Sequence, residues 1–208
     1  MEYAYLERHD YALTVRMMDL QRWLCIILPL SAFLLALMIL SREEESKRQK
    51  TVKWAIAVLA AVFAIVCFFR FGEPIRAVQG TLFSLVLLYA ARSDVDTRIV
   101  WNFVPVEILL LSFVGCDLAT VPFRIVLAAV SLLPVWVVSK IHPKQVLGGA
   151  DVKIAAASIF LVGSLWGFAG YALGLLLGVV WSAVHRMTRQ AFPLVPFLAV
   201  GFLTAYLL

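Results

Sequence analysis

Charge is scarce in this chain, and the scarcity decides the class of fold. Asp, Glu, Lys and Arg make up 15% of its 208 residues, 63% are hydrophobic, and the mean hydropathy is +0.94. A soluble domain carries about 25% charged residues and roughly 45–50% apolar ones. A core of this length has no room for so much apolar surface, so an aqueous globule is excluded and the chain reads as an integral membrane protein. Cysteine is nearly absent. Cys25, Cys67 and Cys116 are scattered in or beside apolar runs with no Cys-x-x-Cys pair, which excludes a structural zinc site and a disulfide framework. They read as small buried apolar residues. His142 and His185 have no partners at metal-ligand spacing, and no metal is expected. No internal repeat, Gly/Ser linker or low-complexity tract is present. The first twenty residues hold Glu2, Glu7, Arg8, Asp10, Arg16 and Asp19, too much charge for a cleavable secretory signal.

What is present is a series of apolar runs. They are continuous rather than alternating, which predicts helices and not the strands of a membrane barrel. A helix also satisfies its own backbone in lipid. The expected fold is an all-α polytopic bundle of about eight spans: 23–41, 54–70, 76–92, 101–116, 121–139, 151–165, 167–184 and 192–208. Residues 1–22 show a loose apolar face among charges and read as an interfacial helix. The net charge of +5 belongs to the positive-inside bias and not to nucleic-acid binding, for no basic, aromatic-interleaved soluble domain accompanies it. With the loop around Arg42, Lys47, Arg48 and Lys50 in the cytoplasm, twelve of the Lys and Arg residues fall on that side and six on the other, as the bias requires. Gly163, Gly167, Gly170, Gly174 and Gly178 recur about every four residues, the spacing of close helix packing.

Two short acidic motifs interrupt the apolar runs: Asp94-Val95-Asp96-Thr97-Arg98-Ile99-Val100-Trp101-Asn102 and Gly148-Gly149-Ala150-Asp151-Val152-Lys153. A carboxylate near lipid is costly, and its default meaning is functional. Two spans separate Asp94 from Asp151, so both reach the cytoplasmic side and can form one site. Two adjacent carboxylates do not both ionise easily; they share a proton and act together as acid and base. That is the chemistry of an aspartyl protease. Gly148, Gly149 and Ala150 are small enough to let a substrate backbone approach. Asp96, two residues from Asp94, points to another helix face and reads as solvated or paired with Arg98, with a place in the catalytic pair as the alternative. Lys153 reads as a positive charge near the pair or as a product of the charge bias, and Asn102 as a helix cap or a hydrogen-bonding neighbour of Asp94. Glu107, inside the fourth run, reads as structural.

Over residues 80–208, about three-fifths of the chain, these motifs resemble the type IV prepilin peptidases, including the archaeal preflagellin peptidases. Asp94, Arg98, Val100 and Asn102 fall on the family's first motif. Gly148, Gly149, Asp151, Val152 and Lys153 fall on its Gly-x-Gly-Asp-x-Lys motif, and Pro193 to Ala199 resembles the Pro-Phe-x-Pro-Phe-Leu-Ala of its last span. Trp101 replaces a proline, Ala150 the second glycine, and the cysteine-rich zinc loop of many bacterial members is missing. The resemblance implies a six-span catalytic core over residues 76–208, with 1–75 as an additional tail and two spans. It implies a catalytic pair of Asp94 and Asp151, supported by Gly148, Gly149, Ala150, Lys153, Arg98 and Asn102. It implies no cofactor, and precursors of the prepilin or archaellin type, with short basic leaders, as partners alongside membrane lipid. The location implied is the cell membrane with the site facing the cytoplasm. Two other readings use the same carboxylates. A presenilin-like intramembrane protease would bring Tyr-Asp and Pro-Ala-Leu motifs, absent here. A proton-coupled carrier would use the acids as a relay.

Overall fold

The computed structural model describes residues 27, 29–34, 47–141, 148–185 and 192–208. The expected interfacial helix, Cys25, His142 and most of the first expected span lie outside them. The described residues contain helices and no strand: α1 Lys47–Phe71, α2 Pro74–Thr97, α3 Phe103–Ser112, a 3-10 turn Leu118–Thr120, α4 Val121–Ile141, α5 Gly149–Val162, α6 Trp166–Val184 and α7 Val195–Leu207. Residues 29–34 are helical as well. The chain divides into two compact units, Met1–Thr81 and Leu82–Leu208. In the first, α1 buries Ala57, Ala60, Ala64 and Cys67 along one stripe and exposes Trp54, Val58, Val62 and Phe69.

Among the described residues, three helices are long and apolar enough to cross a membrane: Lys53–Phe71, Pro74–Thr97 and Trp166–Val184. This is a membrane protein. The helices α3 and α7, and the stretch Leu118–Pro134, are apolar but shorter. Several therefore fall short of the apolar runs that predicted them. The run at 101–116 yields a helix that ends at Ser112, just before Gly115 with φ +68. The run at 151–165 stops at Val162, because Gly163 takes φ +66 and closes the helix by donating its N–H to the Ile159 carbonyl. A left-handed residue cannot continue a right-handed helix, and glycine takes that conformation without strain. Gly163 was expected among the packing glycines; it is instead a C-cap.

In the second unit α5 is central and touches α3, α4, α6 and α7. Beyond Lys153 its sequence is almost wholly apolar, as suits an enclosed helix, and Ile154, Ala155, Ser158, Ile159 and Phe160 are buried. By contrast α3 buries one stripe, Val104, Ile108 and Ser112, at the four-residue spacing of a single helix face. The α6–α7 pair is antiparallel and depends on small residues. A Cβ on Gly178 would press on Leu194, one on Gly174 on the Leu198 backbone, and one on Gly170 on the Gly201 carbonyl. Gly167 faces Ile159 of α5. These four glycines do serve close packing. At the far end of α5, the Arg124 Nη1 donates to the Phe160 and Leu161 carbonyls at 3.4 and 3.2 Å, a cation on the helix terminus that favours one.

Because a side chain on Gly201 would run into the Gly170 backbone, Gly201→Val is expected to destabilise the α6–α7 pair by about 1–3 kcal/mol. Thermal unfolding in detergent checks this. Gly149→Ala, which meets nothing within 4 Å, serves as the control with an unchanged midpoint.

Candidate active site

Asp94 lies in the last turn of α2, a helix whose end is tied by local bonds. The Thr97 hydroxyl donates to the Ser93 carbonyl (2.8 Å), the Ser93 hydroxyl to the Ile99 carbonyl (2.7 Å), and the Arg98 N–H to the Asp94 carbonyl (3.0 Å). Arg98 then turns the chain at φ +56, the one non-glycine residue with positive φ among those described. Asp94 is buried, 7% exposed. Its Oδ2 accepts the Val195 N–H at 3.0 Å, and the Leu194 N–H is a second donor. Those are the amides at the start of α7. A helix start leaves its first N–H groups without internal partners. Here Pro196 has none to offer, and Phe197 donates back to the Leu194 carbonyl at 3.0 Å. Asp94 thus accepts from the two remaining donors and supplies the charge that a helix N-terminus favours. A hydrogen bond to a charged group contributes about 1.5–3 kcal/mol.

Asp151 is the fourth residue counted from the Gly148 N-cap of α5. From that position a carboxylate folds back onto the N-cap amide, half of a capping box, and the Gly148 N–H donates to Asp151. The turn is tight. A Cβ on Gly148 would stand 2.9 Å from Asp151 Oδ2. The glycine is required sterically by this carboxylate, its φ of −52 being open to any residue. Gly149 faces open space, and Ala150 is half-buried.

Asp94, at the end of α2, meets the start of α7; Asp151 lies in the first turn of α5, within electrostatic reach of Asp94. The Arg98 charge also acts on Asp94. Other expected neighbours stand elsewhere. Asp96 pairs with Arg92 at 3.2 Å, not with Arg98, because four residues along a helix share a face and two do not. Asn102 occupies the N-cap position of α3 but makes no cap bond; its Oδ1 accepts from Lys153 Nζ at 3.4 Å. That contact ties the starts of α3 and α5 together. Glu107 is exposed on the outer face of α3. His185 stacks on Trp181, ring centroids 4.0 Å apart. Tyr171 was not anticipated from the sequence. It is buried against Phe202, with rings 6.2 Å apart and 9° from parallel, and feels the charge of Asp151. A single polar aromatic in a glycine-rich apolar run was the available signal.

Chemically, two carboxylates fixed by peptide N–H groups at converging helix starts can pass a proton between water and a carbonyl. Among known proteins, the model of the type IV leader peptidase family matches residues 81–184, half of the chain. The match contains Asp94 and Asp151 and stops short of the Leu194–Val195 amides. No curated protein and no solved structure matches the chain.

Since a methyl group at Gly148 would displace the Asp151 carboxylate, Gly148→Ala is expected to reduce peptidase turnover on the order of a hundredfold, the cost of a misplacement near 1 Å. Gly149→Ala, with open space before it, is expected to change turnover by less than about threefold. Product yield from a tagged leader precursor, measured at matched protein levels, compares the two.

Proposed function

The chain belongs to the type IV leader peptidase family, and we propose that it is a multi-pass aspartyl endopeptidase whose catalytic pair is Asp94 and Asp151. Its substrates are precursors of the prepilin or archaellin type, each with a short basic leader ahead of an apolar helix. The observation that carries the reading is the convergence of these two carboxylates from separate helix ends. In an apolar protein that arrangement otherwise has little reason to exist. Residues 76–208 are the catalytic part, and 1–75 are accessory to it.

The reaction needs one proton on the pair. The ionised carboxylate takes a proton from water as the oxygen attacks the scissile carbonyl carbon. The protonated partner gives its proton to the carbonyl oxygen. The tetrahedral intermediate then collapses: the C–N bond breaks, the leaving nitrogen takes a proton from the pair, and one hydroxyl returns its proton to the pair as the C=O bond reforms. The excess of Lys and Arg in the connections on the Asp94 side supports a cytoplasmic site. A cut there removes the leader and leaves the apolar helix intact.

Asp94→Asn and Asp151→Asn are each expected to abolish leader removal, with losses of at least about 10³-fold, while Asp96→Ala retains activity. Product mass from a model precursor in membranes is the measurement, and trimming by either Asn variant would overturn the assignment. The profile of turnover against pH is expected to be bell-shaped: the acid limb marks a second proton binding the pair, and the alkaline limb the loss of the last.

A further inference from the structure

The two tryptophan levels of the second unit lie closer together than the faces of an ordinary hydrocarbon core, even though α6 is itself long enough to cross one. Its helices run alternately between two ends. The starts of α3, α5 and α7 gather at the end that holds Asp94 and Asp151, shown by the Lys153–Asn102 contact and the Val195–Asp94 bond. The opposite end gathers Arg124, the Phe160 and Leu161 carbonyls and the Phe113–Phe160 ring pair. Exposed tryptophans mark both levels, as is usual where a membrane protein meets the headgroups. Along α6, Trp166 and Trp181 are fifteen residues apart, a rise of about 22 Å. Along α4, fifteen residues also separate Val121, its first residue, from the exposed Trp136. Beyond Trp136, Lys140 sets its Nζ 5.9 Å from the ring centre, a cation anchored at the interface. Between these levels the outward side chains are apolar, among them Leu176 and Val179 on α6 and Val126 and Leu133 on α4. The inner helices are no longer: α5 has 14 residues, α7 has 13 and α3 has 10, rises of roughly 15–21 Å. The hydrocarbon core of a bilayer is about 30 Å thick.

The carboxylates lie deeper still. Leu194, which donates to Asp94, packs on Gly178, three residues inward of Trp181 and so about one helical turn below the tryptophan level. Hydrolysis needs water there. We propose that the catalytic unit fits short acyl chains and draws the surrounding bilayer inward, so that headgroups and water reach a carboxylate pair that lies below the unperturbed membrane surface. The inference rests on the reading of this chain as a membrane-embedded peptidase. The partner is lipid, selected by chain length and not by headgroup.

The test is tryptophan quenching in vesicles. The full chain is reconstituted in phosphatidylcholines with monounsaturated chains of about 14, 18 or 22 carbons. Each is mixed with a brominated lipid, and quenching gives the relative affinity for each chain length. The expected result is a maximum near 14 carbons, with affinity at least about threefold above that near 22. A maximum at 18 or 22 carbons, or no dependence on length, overturns the proposal. The readout needs no catalysis, so Asp151→Ala is expected to give the same profile. If wild type shows the lipid preference yet cleaves no precursor, the peptidase reading fails and this one stands. If it cleaves without the preference, the reverse holds.

Discussion

The second unit depends on a carboxylate that closes a helix not its own. Asp94 ends one helix and begins another, accepting the Leu194 and Val195 amides across 101 residues of sequence. The need is created by Pro196, which removes a donor, and by Phe197, which turns its own back on Leu194. Two N–H groups are then left in an apolar setting, where each unmet donor costs about 1–3 kcal/mol. One buried carboxylate settles both and is oriented by doing so. Asp151 obeys the same rule on a shorter path, bonded to the first amide of its own helix. Pre-orientation by backbone is what a reacting pair requires, since geometry set before the reaction is not charged to its barrier.

This economy mixes stability with chemistry. An asparagine in place of Asp94 keeps an oxygen for the α7 amides but gives up the charge that the helix start favours. Gly148 has the same double character. Its lack of a side chain serves the capping geometry first, and whatever enters the site second. The neighbouring acids have plainer duties: Asp96 holds Arg92 at 3.2 Å, and Asp117 caps the 3-10 turn through the Ala119 N–H at 3.0 Å.

Much of this was legible in the sequence. Continuous apolar runs announced helices, and carboxylates beside them were conspicuous because lipid tolerates them poorly. The stretch from Pro193 to Ala199 carries a family likeness, though nothing in it shows that its amides serve Asp94. Helix lengths were misjudged where an apolar run continued past a left-handed glycine, as at Gly115 and Gly163. A run records what avoids water, whereas a helix end records backbone conformation. The Arg92–Asp96 pair is readable from its four-residue spacing, although Arg98 lies nearer in sequence. Tyr171 was hidden for a different reason. Its closeness to Asp151 arises only when α6 folds against α5 and α7, and no local pattern encodes that.

The long reach of the Asp94 contact has a consequence for how the protein is made. As the chain leaves the ribosome, α2 emerges with an incomplete carboxylate, and four more helices follow before its partner amides exist. Newly made chains therefore pass through insertion with one half of the pair unanchored. The contact that orients Asp94 forms only once α7 has packed beside the end of α2, after the intervening helices are in place.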